Sequence, residues 1–301
     1  MESNLIDGWI FVDKPVGVSS NFVLQKIKRI FKNKKGGYVG TLDPLASGFL
    51  PVAIGKATKV ISFVEKENKK YLFAIHWGVK TDTADSEGKI IEKKNYFPDD
   101  KEIKFCLKNF IGEIEQIPPK FSSVKINGFR AYELARKNIS FKPKKRKVRI
   151  KELKFLKKIS NEKAFFYLEC SSGTYVRSLA ETIAQSLGTI GMLTELRRVG
   201  FSDCNKKLIS LDYLLSLVHS DDLIKLVHPI DVFFHCNNYL NLDYKQVKRV
   251  LTGNHIEMNE ESTVFKMDKK IVFAKYESQL IAVGYIEKNN FQPKKLFISH
   301  I

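Results

Sequence analysis

Strand-type and helix-type segments alternate irregularly along roughly the first 235 residues of this 301-residue chain. The runs FLPVAIG and KKYLFAIHWG predict buried strands, whereas residues 20–34 carry an apolar stripe at helical spacing. These segments do not follow the strand–helix–strand repeat of doubly wound folds, and the sequence contains neither a GxGxxG motif nor a P-loop. The order therefore predicts an α+β fold with a mixed sheet flanked by helices.

The last 65 residues or so follow a different pattern, which begins near Cys236. One short helical segment ends at Gly253, and three short runs typical of strands come after it: STVFKM, KIVFAKY and LIAVGYI. We therefore expect two domains, one over residues 1–235 and a small β-rich module over residues 236–301.

The charge balance favours a polyanionic partner. The chain has 51 lysine and arginine residues against 33 aspartate and glutamate residues, a net charge of +18. Such a charge attracts nucleic acid, although a generally basic proteome gives the same balance. The sequence has no CxxC pair and no HExxH-type cluster, so we expect no metal site. It also lacks a signal-peptide pattern and any apolar stretch of about 20 residues, so we expect a soluble, cytoplasmic protein.

Asp43 is the first candidate for chemistry. It lies between Gly40 and Gly48 in the loop sequence GTLDPLASG, and Pro44 after it favours an extended backbone at Asp43. A bare Asp-Pro pair more often only starts a turn. The surrounding sequence decides between these two interpretations.

The longer segment GTLDPLASGFLPVAIGKATK resembles the signature of the TruB family of tRNA pseudouridine synthases. Five other segments resemble that family's motifs in the family's order: DKPVGVSSN, KKYLF, KTDTADSEG, CSSGTYVRSLA and LRRVGFS. The resemblance covers roughly residues 7–235, and the tail resembles more weakly the PUA module of bacterial members. It implies the pseudouridine synthase fold, with a mainly antiparallel sheet and a C-terminal PUA-like domain.

The resemblance also implies the site. The catalytic residues would be Asp43, Tyr71 and Arg177. The residues expected to bind substrate are Tyr38, Tyr175, Leu196, Lys14 and Asp85. Tyr38 stands where the family usually has a histidine that holds the RNA with its target base extracted, and Ser172 stands where many members have lysine.

The chemistry fits those residue types. Isomerisation conserves the atoms of uridine, so no redox cofactor, metal or nucleotide is expected. A carboxylate in a closed pocket tends to protonate, and the guanidinium of Arg177 is suited to oppose this by bidentate pairing with Asp43. The resemblance implies isomerisation of uridine in the tRNA T-loop (position 55) by a monomer that needs neither guide RNA nor a protein partner.

A basic run over residues 142–158 holds ten basic residues and one acidic residue. Its centre, Lys144, Lys145, Arg146 and Lys147, is expected to bind RNA phosphates as the end of an insertion over about residues 118–148 that clamps the tRNA stem-loop. A solvated charged face and a nuclear-import signal (PKKRKV) are the alternative interpretations.

Three other functions fit parts of the pattern. A guide-RNA-dependent pseudouridine synthase shares the aspartate loop and the PUA module. A nucleic-acid glycosylase would also use carboxylates, for hydrolysis. An RNA-folding factor with a decayed site would need no chemistry, but intact Asp43, Tyr71 and Arg177 argue against decay.

Overall fold

Nine of the thirteen strands described between Gly8 and Ser210 build one large sheet, seen here in a computed structural model. The structure describes residues 6–32, 35–64, 68–122, 124–137, 139–201, 204, 206–218, 220, 222–234, 239–258 and 271–298. The strands are β1 (Gly8–Lys14), β2 (Gly36–Tyr38), β3 (Ala46–Ile54), β4 (Lys69–Trp77), β5 (Val79–Thr81), β6 (Ile90–Lys93), β7 (Gly112–Gln116), β8 (Lys125–Ile126), β9 (Phe129–Arg130), β10 (Arg146–Ser160), β11 (Lys163–Cys170), β12 (Gly191–Phe201) and β13 (Ile209–Ser210). The four strands outside the large sheet form the separate pairs β5-β6 and β8-β9.

The large sheet is mixed and mainly antiparallel, which confirms the predicted fold class. Its order is β13-β1-β3-β12-β4-β11-β10-β7, with β2 paired to β3. Within the described chain, β1 pairs in parallel with β13 and β12 pairs in parallel with β3, and the other pairs of this sheet are antiparallel. β12 therefore lies between β3 and β4, although it comes far later in the chain.

Helices flank this sheet. They are α1 (Ser20–Ile30), α2 (Ile61–Val64), α3 (Asp100–Leu107), α4 (Ala131–Arg136), α5 (Val176–Ser186), α6 (Leu211–Ser216) and α7 (Asp222–Lys225). The predicted first helix is confirmed: Ser19 caps it by accepting a hydrogen bond from Phe22 N–H at 3.0 Å, and the stripe through Val23 and Ile27 is buried. No helix of the described ranges is long and apolar enough to cross a membrane.

A hairpin and a helix lie between β7 and β10, outside the large sheet. β8 and β9 pair across Asn127 and Gly128, which both have positive φ, as a tight hairpin turn requires. α4 follows β9 directly. This segment coincides with the expected insertion, and its role as an RNA clamp stays a prediction.

The C-terminal part forms a second sheet, as predicted. It contains β14 (Tyr239–Asn241), α8 (Tyr244–Leu251), β15 (Ile256–Glu257), β16 (Ile271–Tyr276), β17 (Gln279–Glu287) and β18 (Asn290–Leu296), with strand order β14-β16-β17-β18-β15. The predicted strand STVFKM falls outside the described residues. Phe273, Val283 and Phe297 join Trp9 and Phe11 in one buried cluster, so the small sheet packs against the large one. A curled C-terminal β domain of this kind is consistent with the expected PUA-like module.

Candidate active site

Residues just after β1 make hydrogen bonds that fix the loop carrying Asp43. The buried hydroxyl of Ser20 accepts a hydrogen bond from Leu42 N–H at 2.8 Å and donates one to the Leu42 carbonyl at 2.9 Å. Gly17 N–H donates to the Pro44 carbonyl at 2.8 Å. The residues on both sides of Asp43 are therefore fixed by the motif DKPVGVSSN, which gives that motif a bracing role.

Arg177 lies at the start of α5 and contacts two carboxylates. Its Nε is 3.0 Å from Asp43 Oδ2, and its Nη1 is 3.4 Å from Asp85 Oδ2. The same guanidinium donates to the carbonyls of Thr83 at 3.2 Å and Phe121 at 2.9 Å. The expected bidentate pairing with Asp43 is therefore wrong, because one side of the fork is used by Asp85 and by backbone oxygens.

The carboxylate of Asp43 is the accessible member of this cluster. Its side chain is 36% exposed, whereas the side chains of Arg177 and Asp85 are 6% and 4% exposed. Burial nevertheless raises the pKa of Asp43 above its ordinary value, Arg177 and Lys14 oppose that rise, and Asp85 adds to it. Arg177 is thus the largest influence that opposes this rise in pKa and favours the ionised carboxylate.

Strand pairing brings Tyr71 and Leu196 to the same region. On β12, Leu196 lies opposite Ala46 of β3 and Phe73 of β4, and Arg198 lies opposite Tyr71. Tyr71 and Leu196 are both buried in the large core. Burial is the largest effect on the Tyr71 hydroxyl and raises its pKa to about 12, and the nearby Asp43 contributes to that rise.

Lys14 and Asp85 lie behind the pocket surface. The Lys14 amine donates to the carbonyls of Pro15 at 2.8 Å and Val18 at 2.6 Å, with the Pro44 carbonyl at 3.4 Å. Burial lowers its pKa to about 8, although Asp43 acts in the opposite direction. Asp85 is buried as well and accepts a 2.6 Å bond from the Thr83 hydroxyl. Their predicted contact with substrate stays a prediction, and the geometry favours a bracing role for both.

Tyr175, two residues before Arg177 in the sequence, contacts Arg146. Gln116 fixes the Tyr175 backbone by donating to its carbonyl at 2.9 Å and by accepting from its N–H at 2.7 Å. The Arg146 guanidinium stacks 4.4 Å from the centre of the Tyr175 ring. Arg146 also packs closely over Gly173: a Cβ added to that glycine would lie 3.3 Å from Arg146 Nη1. Arg146 therefore packs on Tyr175, and contact of either residue with substrate stays a prediction.

The lysines next to Arg146 have different surroundings. Lys145 forms an exposed ion pair with Glu115 at 3.1 Å, and Lys147 forms one with Glu113 at 2.8 Å. Lys144 is exposed. Side chains alternate along a strand, which explains why Arg146 contacts Tyr175 while its two neighbours pair with glutamates of β7.

Tyr38 occupies the last position of β2, opposite Val52 of β3. Its ring is partly buried and packs against the large core. Any stacking of this ring on RNA therefore stays a prediction. Sequence reasoning also missed the contributions of Ser20 and Gln116, because both act through backbone groups of residues distant in the sequence.

The fold is similar to that of chains in two solved structures, an H/ACA RNP bound to a substrate RNA containing 2'-deoxyuridine and a Cbf5-Nop10-Gar1 complex. The TM-scores are 0.72 and 0.71, at 22% and 24% sequence identity. The first match covers 97% of this chain and 85% of the other, and the second covers 99% and 87%. These matches place the mixed sheet and its C-terminal β domain in one known fold class.

Sequence comparison then gives the family. The TruB family pseudouridylate synthase N-terminal domain matches residues 28–176. The tRNA pseudouridine synthase B of Ehrlichia canis (strain Jake) is 38% identical over 296 residues, 96% of this chain and 97% of that protein. The Bartonella henselae protein of the same name is 36% identical over 311 residues, 97% and 96% of the two chains. The chain belongs to the TruB family of pseudouridylate synthases, so the predicted family and enzyme class are confirmed.

Proposed function

We propose that the protein converts the uridine at position 55, in the T-loop of tRNA, to pseudouridine without a guide RNA. Relatives named tRNA pseudouridine synthase B match it over nearly their whole length, which supports tRNA as the substrate. The observation that carries the proposal is the accessible Asp43 carboxylate, held 3.0 Å from the buried Arg177 guanidinium. A carboxylate kept ionised at a pocket surface suits covalent or base chemistry at uridine.

Asp43, Arg177 and Asp85 form one electrostatic unit in this proposal. The reaction breaks the bond from N1 to C1′, turns the base and joins C5 to C1′. Asp43 acts at the sugar or at the base, as a nucleophile or as a proton acceptor. Asp85 and the two backbone carbonyls hold the far side of the guanidinium, so Arg177 cannot rotate away from Asp43. This fixed geometry lowers the reorganisation needed during the reaction.

The target base has to leave the RNA stack before it reaches Asp43. Extraction costs a few kcal/mol, which binding of the rest of the RNA has to supply. We propose that Tyr71, Tyr175 and Leu196 line the space that receives the base, and that Tyr38 stacks in or beside the vacated position. Arg146 and the exposed lysines near it contact phosphates, which dominate the affinity for RNA. We expect the protein to act as a monomer in the cytoplasm.

A guide-dependent reaction is the second candidate. It is favoured by the similarity of the fold to chains of an H/ACA RNP and of a Cbf5-Nop10-Gar1 complex. Those likenesses lie at 22% and 24% identity, whereas the tRNA pseudouridine synthase B relatives lie at 36–38% over nearly the whole chain. We therefore place the guide-free reaction first.

One experiment separates these functions. Purified protein is incubated with unmodified tRNA and no guide RNA, and pseudouridine is mapped by carbodiimide labelling and primer extension. The proposal predicts one modified uridine, in the T-loop, with no change in RNA mass. Released uracil would identify a glycosylase. Modification that appears only when guide RNA and partner proteins are added would identify the guide-dependent enzyme, and tRNA refolding without modification would identify an RNA-folding factor.

A further inference from the structure

Arg198 is a charged side chain in the middle of the large sheet, and its surface is fully buried. Its Nε donates to the Phe49 carbonyl at 2.6 Å, and its Nη2 donates to the Val39 carbonyl at 3.2 Å. The guanidinium also lies 4.7 Å from the centre of the Phe201 ring. These contacts stabilise it through neutral groups. Burying a charge with only neutral partners lowers the free energy of unfolding, so a stabilising role alone does not explain Arg198.

The position of Arg198 connects it to the Asp43 loop at both ends. Val39 directly precedes the loop that begins at Gly40, and Phe49 lies near the start of β3, the strand that follows the loop. A Cβ at Gly40 would lie 2.8 Å from Arg198 Nη1, and a Cβ at Gly48 would lie 2.2 Å from the Arg198 carbonyl oxygen. Both glycines also have positive φ, 63° and 98°. The two glycines that bracket Asp43 thus leave the room that Arg198 occupies.

The guanidinium also faces a residue of the proposed site. Arg198 lies directly opposite Tyr71 in the pairing of β12 with β4. Burial lowers the pKa of Arg198, and the Tyr71 hydroxyl is the group that opposes this. Conversely, the charge of Arg198 lowers the pKa of Tyr71 against the larger effect of burial. Each group therefore stabilises the ionised form of the other.

The contact between them is loose. Among the described residues, Arg198 Nη1 makes no hydrogen bond of ordinary geometry. It is the one terminal nitrogen of this side chain that no carbonyl occupies. Hydrogen bonds in active sites are often long or poorly aligned before substrate binds, and they tighten in the complex.

We propose that Arg198 is a positioning residue that orients the Tyr71 hydroxyl towards the Asp43 pocket. A guanidinium only donates hydrogen bonds, so the Tyr71 oxygen accepts from Arg198 and its own proton must be donated elsewhere. Asp43 lies close enough to raise the pKa of the Tyr71 hydroxyl, so the pocket proposed for the substrate is within reach of that proton. Arg198 thereby fixes both the direction of the hydroxyl proton and the ends of the Asp43 loop. This role rests on the proposed function.

The first test needs no RNA and so is independent of the proposed reaction. 3-Fluorotyrosine is placed at position 71, because its lower pKa brings the titration into a range where the protein stays folded, and its 19F signal is followed against pH. Replacing Arg198 with methionine should raise that pKa by at least about one unit, the effect of removing a charge within 4–6 Å. Arg198→Lys should raise it less. An unchanged pKa in Arg198→Met would overturn the proposal.

The second test asks whether the effect on rate passes through Tyr71. Single-turnover rates at saturating tRNA are measured for Arg198→Met, Tyr71→Phe and the double variant. We expect Arg198→Met to slow the wild type at least about tenfold, and to slow the Tyr71→Phe protein less than about threefold, because coupled residues are not additive. Equal factors in both backgrounds would overturn the proposal and make Arg198 a brace of the loop alone.

Both tests include a check that the Arg198 variants are folded. Arg198→Met leaves the carbonyls of Phe49 and Val39 without their donors on Arg198, so we expect it to fold with a melting temperature below that of wild type. Its melting temperature and its Kd for tRNA are measured beside those of wild type. Should Arg198→Met not fold, Arg198→Lys takes its place in both tests, with smaller expected shifts in the same direction and the same outcomes for and against.

Discussion

Replacing Arg177 by lysine tests whether the site needs the shape of the guanidinium or only its charge. Four acceptors surround Arg177: the carboxylates of Asp43 and Asp85 and the carbonyls of Thr83 and Phe121. A lysine ammonium is a compact charge on a flexible stem, and it cannot occupy the positions of Nε, Nη1 and Nη2 together. The variant therefore keeps the charge but cannot make most of these hydrogen bonds.

The size of the effect follows from the hydrogen bond to Asp43. A hydrogen bond to a charged group contributes about 1.5–3 kcal/mol, and each 1.4 kcal/mol changes a rate about tenfold. Removing the 3.0 Å hydrogen bond from Nε to Asp43 should therefore slow the reaction about 10- to 100-fold. Leaving one buried carbonyl without its donor should also lower the free energy of unfolding, by about 1–3 kcal/mol.

Single-turnover conversion of unmodified tRNA measures the rate, and urea unfolding measures the stability. Arg197→Lys is the matched control, because Arg197 also pairs with a carboxylate, that of Asp13, but its own side chain is 43% exposed. That control should keep the wild-type rate within about twofold, because the carboxylate that Arg197 contacts is that of Asp13 and not that of Asp43 or Asp85. A folded Arg177→Lys protein that reacts as fast as wild type would refute the reasoning.

Three further predictions concern neighbouring groups. Folding lowers the Lys14 pKa to about 8, so between about pH 8 and 10.5 the unfolded chain holds a proton that the folded chain has lost. As pH rises through that range, the free energy of unfolding of wild type should increase by up to about 3 kcal/mol relative to Lys14→Met, as measured by urea unfolding. Neutralising residues 144–147 should flatten the log–log salt dependence of tRNA binding by about 0.7–0.9 for each phosphate that the protein no longer neutralises, whereas an unchanged slope indicates a solvated face. Tyr38→Ala should slow base extraction, reported by a fluorescent base analogue beside the target, while Tyr38→His is tolerated; extraction at the wild-type rate in Tyr38→Ala would mean that the ring only packs.

Local features of the fold could be predicted from the sequence. The stripe through Val23 and Ile27 is a property of neighbouring residues, and it predicted α1 correctly. The C-terminal end of α5 could also be predicted locally, because Gly188 takes a positive φ just after the helix. The motif around Asp43 likewise predicted the loop, since Pro44 disfavours a helical backbone at Asp43 and the glycines permit positive φ.

Features that depend on distant pairing could not be predicted. No periodicity indicates that β12 enters between β3 and β4, and this insertion is what sets Arg198 opposite Tyr71. The sharing of Arg177 between Asp43 and Asp85 depends on a loop and a helix that meet only in the fold. Arg146 contacts Tyr175 because of the face of β10 on which its side chain lies. A run of consecutive basic residues does not show which of them lie on that face.

The central claim is that the Asp43 carboxylate carries out the isomerisation, and Asp43→Asn tests it most directly. Asparagine keeps the size of the side chain and removes its charge, while affinity for RNA is spread over many basic residues. Asp13→Asn is the matched control, because Asp13 is also a carboxylate paired with an arginine, but its partner is Arg197 and not Arg177.

The measurement is pseudouridine in unmodified tRNA, mapped after long incubation with each purified variant, together with the Kd for that tRNA. The account predicts no pseudouridine from Asp43→Asn, a Kd within about threefold of wild type because phosphate contacts dominate affinity, and normal conversion by Asp13→Asn. Measurable pseudouridine from purified Asp43→Asn protein would contradict the assignment of Asp43.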